Sequence, residues 1–287
     1  MAVVTLILFI IGLVLLVVGA EWLVRGASAL AITIGVSPLV VGLTVVAFGT
    51  SAPELAVGMR AGLVGDASEI DVALGNVLGS NIANILLILG LGAVFAPLVV
   101  RRQIVIFDLP LMLGVSLLLL LMSLDGAIDQ IEGLLLFLGI VVYTVWSIYQ
   151  SRKNTVLEQE VTSHTPHGSA SWLLNAAYVL GGLAMLVVGS DWLVNGATAV
   201  ARALGVSELI IGLTIVAVGT SLPEVATTIA AAIKGQRDLA VGNAVGSNIF
   251  NILLVLGATS MLVPGGIPVS TQALGIDFPV MLAVSLI

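Results

Sequence analysis

The stretch Gly49-Thr-Ser-Ala-Pro-Glu54 returns 170 residues later as Gly219-Thr-Ser-Leu-Pro-Glu224, and each copy lies in a long apolar run. A carboxylate in the middle of a membrane segment costs about 2.5–3.5 kcal/mol on insertion scales, so it points to function before it points to architecture. Two of them in matching positions of an internal repeat predict one site assembled from both halves.

Around the motif the repeat is extensive. Residues 34–56 match residues 204–226 at 15 of 23 positions, and residues 71–90 match 238–257 at 14 of 20. The offset falls from 170 to 167 between these blocks, so one loop of the second copy is three residues shorter. Weaker matches extend outward, Gly19-Ala-Glu-Trp-Leu-Val with Gly189-Ser-Asp-Trp-Leu-Val and Asp108-Leu-Pro with Asp277-Phe-Pro. A unit this long reads as a duplicated half-transporter, not as a solenoid repeat.

Composition sets the class. The 287 residues are 59% hydrophobic and 9% charged, with mean hydropathy +1.23, whereas soluble domains carry about 25% charged residues. The fold class expected is an all-α polytopic membrane protein. The absence of cysteine excludes disulfides, thiolate metal sites and thiol redox chemistry. A net charge of −7 argues against a nucleic-acid partner. The N-terminus is apolar from Ala2 with no basic region before it, so the first segment is expected to be a true span and not a cleaved signal.

Spans need about 20 apolar residues. Nine segments qualify, at 2–24, 38–60, 72–98, 103–123, 131–150, 172–194, 206–233, 239–263 and 273–287. They divide into a first half at 1–150, a polar linker at 151–171 whose composition favours a solvated loop, and a second half at 172–287. Five spans in the first half is an odd number, so the second half starts on the opposite side and the repeats are inverted. The second half stops inside its fourth span, which reads as a truncated five-span repeat. Loops after spans 1, 3, 5 and 7 hold Arg25, Arg101, Arg102, Arg152, Lys153, Lys234 and Arg237, against only Arg60 and Arg202 after the even spans. That bias places the N-terminus outside and the linker in the cytoplasm of a cell with its single or inner membrane. Asp66, Glu69, Asp71, Asp125, Asp129, Glu132 and Glu208 then fall near the outer face, as a solvated acidic surface or a field that enriches cations.

The motif carries the chemistry. Pro53 lacks an N–H and clashes with the carbonyl of residue 49, and Gly49 weakens the same turn, so the helix breaks there. Carbonyls of residues 47–49 are expected to lose their partners, and such groups persist in a membrane only when buried in protein or lining a wet cavity. Thr50, Ser51 and Glu54 are spaced three and four apart, so their oxygens face one way. Pro223, Thr220, Ser221, Glu224 and the carbonyls of residues 217–219 repeat the arrangement. The next span adds Asn76, Ser80 and Asn84, mirrored by Asn243, Ser247 and Asn251. Gly75 with Gly79, and Gly242 with Gly246, have the spacing that lets helices approach closely. Asn81 and Asn248 point about 100° off this stripe and are assigned to helix contacts. All-oxygen ligands select hard cations, Ca²⁺, Na⁺, Mg²⁺ or Mn²⁺. Two glutamates balance one divalent charge. With the ion gone they repel, and Na⁺ or protons must compensate, which is the physical basis of antiport.

Together, the paired Gly-Thr-Ser-x-Pro-Glu and Gly-Asn-x-x-Gly-Ser-Asn-Ile-x-Asn-Ile motifs resemble the α-repeats of the Ca²⁺:cation antiporter superfamily, in particular its prokaryotic Na⁺/Ca²⁺ exchanger branch. The resemblance implies ten helices in two inverted five-helix repeats, a central site between helices 2, 3, 7 and 8, and a mobile pair formed by helices 1 and 6. It implies as cation ligands the Ala47 carbonyl, Thr50, Ser51, Glu54, Ser80 and Asn84, with the Ala217 carbonyl, Thr220, Ser221, Glu224, Ser247 and Asn251 from the second half. It implies transport and no enzymatic cofactor, with Ca²⁺ and Na⁺ or H⁺ as cargo. Family exchangers carry Asp where this chain has Asn251, so charge counting predicts two monovalent ions per divalent and not the family's three Na⁺ per Ca²⁺. Partners are inorganic cations and the lipid bilayer, and one chain suffices for the site.

Other readings compete. An H⁺-coupled or Mg²⁺/Mn²⁺ exchanger uses the same ligands, as does a cation channel. An intramembrane hydrolase needs a base beside Ser51 or Ser221, and the spans contain no histidine. His164 and His167 lie in the linker, read as solvated. Glu21 and Asp191 are assigned to solvated span ends, Trp22 and Trp192 to interfacial positions, and Asp108 and Asp277 to helix N-caps.

Overall fold

Among the described residues, helix occupies all nine apolar segments. The computed structural model describes residues 2–64, 67–98, 100–161, 172–205 and 217–286. Helix α1 is Ala2–Ile34. Helix α2 has two pieces, Pro38–Thr50 and Ala52–Leu63, meeting at 47°. Helices α3 and α4 are Ile70–Phe95 and Ile104–Asp125. Helix α5 is Gln130–Val161 and α6 is Trp172–Ala203. A turn at Ala217–Thr220 precedes α7, Leu222–Ile233. Helix α8 is Arg237–Leu262 and α9 is Ala273–Ser285. Six of these are long and apolar enough to cross a bilayer singly, and the bent α2 makes a seventh.

Several expected boundaries move. Helix α1 runs ten residues past the apolar segment, and Arg25 is received there over the Tyr178 ring at 5.0 Å. Glu21 and Trp22 are therefore interior to α1, and Asp191 and Trp192 interior to α6. Trp22 packs edge-on against Tyr178 at 5.4 Å. Helix α1 stops at Gly35, whose φ of +68° is accessible to glycine without strain. There the Val36 N–H returns to the Ala31 carbonyl at 3.0 Å. Gly205, its repeat mate, has φ +78° and ends α6 in the same way. The polar segment 151–171 is not wholly loop: α5 continues through Val161, and Ser151 Oγ accepts the Ser37 N–H at 2.8 Å. His164 and His167 lie outside the described residues, as do residues 206–216 of the seventh segment.

The repeats are inverted in space. Helices α1 and α6 are repeat mates and pack antiparallel through two glycine ribs of seven-residue spacing, Gly12, Gly19 and Gly26 on one side and Gly182, Gly189 and Gly196 on the other. A Cβ placed on Gly12 would lie 2.7 Å from the Gly189 carbonyl oxygen, and one on Gly189 2.8 Å from the Gly12 carbonyl. Backbone meets backbone, so dispersion replaces the hydrophobic driving force that lipid removes. The expected close approach of α8 holds as well, since a Cβ on Gly242 or Gly246 would fall 2.7 Å from the carbonyls of Leu39 or Leu43 in α2. For Gly75 and Gly79 the matching positions, 209 and 213, are outside the described residues.

Helix α8 sits at the centre, with residues 239–250 buried throughout. Enclosure by protein lets it carry asparagine and serine without exposing them to lipid. Among the described residues two ion pairs bind the halves: Arg101, in the α3–α4 connection, meets Asp238 in the first turn of α8 at 2.6 Å, and Lys234, at the end of α7, meets Glu21 inside α1 at 3.0 Å. At the opposite end, residues Ala127–Ile128 pair antiparallel with Ile267–Pro268 as a two-stranded ribbon joining the α4–α5 and α8–α9 connections. Asp129 and Glu132 exchange backbone hydrogen bonds at 2.7 and 2.9 Å, a capping box that starts α5 and accounts for two of the acids read as an outer field.

The glycine ribs yield a direct expectation. Gly189→Leu forces side chain into backbone and lowers stability by about 1–3 kcal/mol or more. Gly114→Ala, exposed on α4 with no atom within 4 Å of its Cβ position, gains up to about 1 kcal/mol of helix propensity. Thermal unfolding of the two purified variants in detergent checks the contrast.

Candidate cation site

The motif turn forms as its residues dictate. Helix α2 breaks at Ser51, two residues before the first-turn Pro53 of its second piece, and Glu54 follows on the inner side. One expectation fails: the Ala47 carbonyl is not stripped of partners. It accepts the Ser51 N–H at 3.0 Å and lies 3.4 Å from Thr50 Oγ1. In the second copy the Ser221 N–H turns instead to the Val218 carbonyl at 3.2 Å. Gly49 does more than weaken the turn, since a side chain there would run into Leu183 of α6. Gly219 likewise faces Val194.

The two motifs meet at the bundle centre. Ser51 Oγ crosses to donate to Glu224 Oε1 at 3.2 Å, and Ser247 Oγ approaches the same oxygen at 3.4 Å. On the other side Ser80 Oγ donates to Glu54 Oε1 at 3.3 Å and lies 3.2 Å from Ser221 Oγ. Thr50 Oγ1 donates to Asn243 Oδ1 and Thr220 Oγ1 to Asn76 Oδ1, both at 3.1 Å. Glu54 and Glu224 are each 1% exposed. The hydroxyls and carboxylates expected from the sequence therefore meet in neighbouring hydrogen-bonded groups, each of which crosses between the halves.

Its unpartnered atoms are the informative ones. Among the described residues, Glu54 Oε2, Glu224 Oε2, Asn84 Oδ1 and Asn251 Oδ1 are buried oxygens with no hydrogen-bond partner. Buried acceptors are almost always satisfied. The hydroxyls of Ser28, Ser147, Thr227 and Thr259 are also unpartnered, but the open carboxylate and amide oxygens are these four, two from each half, of the kind that suits a hard cation. Among the described residues no three His, Cys, Asp or Glu side chains converge, so two carboxylates set the charge of the site.

Helix irregularities aim these groups. Asn84 and Asn251 each begin a widened π-turn, Asn84–Leu89 and Asn251–Leu256, a distortion common at functional positions. Asn76 and Asn243, part of the expected stripe but not of the expected ligand set, receive the threonine hydroxyls. Asn81 and Asn248, assigned to helix contacts, bond directly to Asn251 and Asn84, the two asparagines expected as ligands. Their presence in both copies of Gly-Ser-Asn-Ile was the available signal.

Asp108 and Asp277 are not caps, since neither side chain bonds a backbone N–H at its helix start. Asp108 is buried and accepts Tyr143 Oη at 3.2 Å and Gln103 Nε2 at 3.4 Å, tying α4 to α5. It lies apart from the central network.

Comparison with known proteins places this geometry. The family model described as sodium/calcium exchanger protein matches residues 4–149 and 174–287. The putative antiporter CaxA of Alkalimonas amylolytica is 42% identical over 264 residues, covering 91% of this chain and 81% of its own. The sodium/calcium exchanger MaX1 of Methanosarcina acetivorans is 32% identical over 322 residues, covering 100% and 91%. A solved structure of the sodium-calcium exchanger NCX_Mj, soaked with 2.5 mM Na⁺ and 0.1 mM Ca²⁺, superposes with TM-score 0.84 at 29% identity, covering 100% of this chain and 90% of that one.

Two buried carboxylates with open oxygens oppose folding in the absence of a cation. The Glu54→Gln/Glu224→Gln double variant should therefore melt higher than the native chain in chelator, by roughly 2–4 °C per kcal/mol recovered. It should also lose the stabilisation that added divalent cation gives the native chain. Melting curves with and without Ca²⁺ measure both.

Proposed function

We propose that this chain, which belongs to the sodium/calcium exchanger protein family, exchanges Ca²⁺ for Na⁺ or H⁺ across the membrane by alternating access through one central site. The observation that carries the reading is the set of four unpartnered buried oxygens on Glu54, Glu224, Asn84 and Asn251. Ca²⁺ takes six to eight oxygens. The remaining positions fall to the hydroxyls of Thr50, Ser51, Ser80, Thr220, Ser221 and Ser247 and to the carbonyls of Ala47 and Ala217.

In this reading the two glutamates neutralise one divalent ion. On its departure the same carboxylates take two monovalent ions, so the cycle moves no net charge. The pair α1 and α6 is the moving body, and its contacts with the core at Gly49 and Gly219 lie beside the motif turns. One chain supplies the whole site, and the lipid bilayer is its solvent. The division into halves at 1–150 and 172–287 about a cytoplasmic linker at 151–171, with the N-terminus outside, rests on the arginine and lysine bias of the loops. The Arg101–Asp238 pair supports it by holding the α3–α4 connection against the start of α8, so the connections after α3 and α7 lie at one end. The same bias supports residence in the cell membrane, the inner one where there are two.

The test is isotopic Ca²⁺ uptake into proteoliposomes, driven separately by a Na⁺ gradient and a pH gradient. Uptake should saturate, require the counter-ion on the far side, and fall at least a hundredfold in Glu54→Gln and in Glu224→Gln, about 2.7 kcal/mol or more. Undiminished uptake in both variants would sink the site. A membrane current from a third counter-ion per divalent would sink the stoichiometry, and flux without a counter-ion would favour a channel.

A further inference from the structure

Four asparagines meet across the boundary between the halves, and all four are at most 1% exposed. Asn81 Nδ2 donates to the Asn248 backbone carbonyl at 3.4 Å, and Asn248 Nδ2 donates to the Asn81 backbone carbonyl at 3.2 Å. A backbone carbonyl can only accept, so these two bonds decide which end of each amide is nitrogen. The sulfurs of Met281 and Met112, 3.8 and 3.5 Å from the same nitrogens, are acceptors too and agree with that assignment.

The remaining ends must then accept. Asn251 Nδ2 reaches Asn81 Oδ1 at 3.0 Å, and Asn84 Nδ2 reaches Asn248 Oδ1 at 2.8 Å. Each ligand asparagine is thus turned nitrogen-first toward the asparagine of the opposite half. The oxygens left over, Asn84 Oδ1 and Asn251 Oδ1, are the unpartnered ones. An amide turned the other way would present N–H to a cation, which repels it.

We propose that Asn81 and Asn248 are positioning residues that hold Asn251 and Asn84, respectively, oxygen-first toward the transported cation. They also make the site specific for amides at those two positions. A carboxylate at 251 would set oxygen against Asn81 Oδ1. Turning Asn81 over to relieve this would set its own oxygen against the Asn248 carbonyl. The inference rests on the cation-site reading above, and it predicts that an ionised carboxylate at 251 would meet Asn81 Oδ1 oxygen to oxygen.

The experiment measures the apparent KM for Ca²⁺ in proteoliposomes and, on the purified full chain, the rise in melting temperature produced by Ca²⁺ or by Na⁺. The variants are Asn81→Ala, Asn251→Ala, Asn251→Asp and the two doubles. Asn81→Ala should raise KM about fivefold, the weight of one orienting hydrogen bond, with a smaller change in kcat. In the Asn251→Ala background it should change KM no further, because the residue it orients is gone. Asn81→Ala combined with Asn251→Asp should recover Ca²⁺ affinity relative to either single variant, because a carboxylate presents oxygen at both ends and no longer faces Asn81 Oδ1. An Asn81→Ala effect of equal factor in the Asn251→Ala background, or no effect in the native one, overturns the proposal and leaves a packing role. Glu54→Gln serves as the separate control on the site itself. The melting shift reads amide orientation without transport, so failure of the exchange reading and failure of this one are told apart.

Discussion

A carboxylate removed from water must be neutralised, hydrogen-bonded or both, and the interior of this bundle holds two. Glu54 and Glu224 each have one oxygen held by serine hydroxyls and one oxygen held by nothing. The first oxygen fixes the side chain and the second stays available. Most of the architecture follows from keeping that division. The helix break before Pro53 and Pro223 places each glutamate on an inner first turn. The crossing of Ser51 to Glu224 makes the first half hold the second's charge, and Ser80, which holds Glu54, touches Ser221 across the boundary. The enclosure of α8 keeps lipid and bulk water away from all of it.

Much of this was legible in the sequence because the repeat reported it twice. Among the described residues, helix in each of the nine segments, the motif turns and the hydroxyl and amide stripe all reappear, with several helix ends displaced. What escaped has physical reasons. The glycine ribs of α1 and α6 recur every seven residues, so they do not present the four-residue spacing that marked α8. Composition made residues 151–161 look like loop, yet a helix already nucleated in the membrane can propagate through polar residues at little cost. Asp108 stands before Leu109 and Pro110 at an apparent helix start, but the helix begins earlier, at Ile104, and the carboxylate is free to reach Tyr143. The inward set of asparagines was visible as residue types. The direction of each amide was not, because it depends on a backbone carbonyl from the opposite half.

The two copies of the site are not held equally. Asn243 is fully engaged, accepting from Thr50 and donating to Thr228 Oγ1 at 3.1 Å and the Glu224 carbonyl at 3.5 Å. Its mate Asn76 accepts from Thr220, but its nitrogen is unpartnered among the described residues, and the position matching Thr228 is Gly58. The second-half wall of the site is accordingly the stiffer one. Inverted repeats begin as equal halves, and here a single hydroxyl, Thr228 against Gly58, sets the two asparagines apart.

The glycine ribs bear on how the molecule can change over generations. Gly12 and Gly189 each lie where the other's carbonyl leaves no room for a methyl group, so neither position can drift alone. A larger residue on one helix cannot be answered by a smaller one on the other, because glycine is already the smallest. A gene duplication ordinarily frees two copies to diverge. Here folding the copies against each other, backbone on backbone, has bound them to remain alike along that seam.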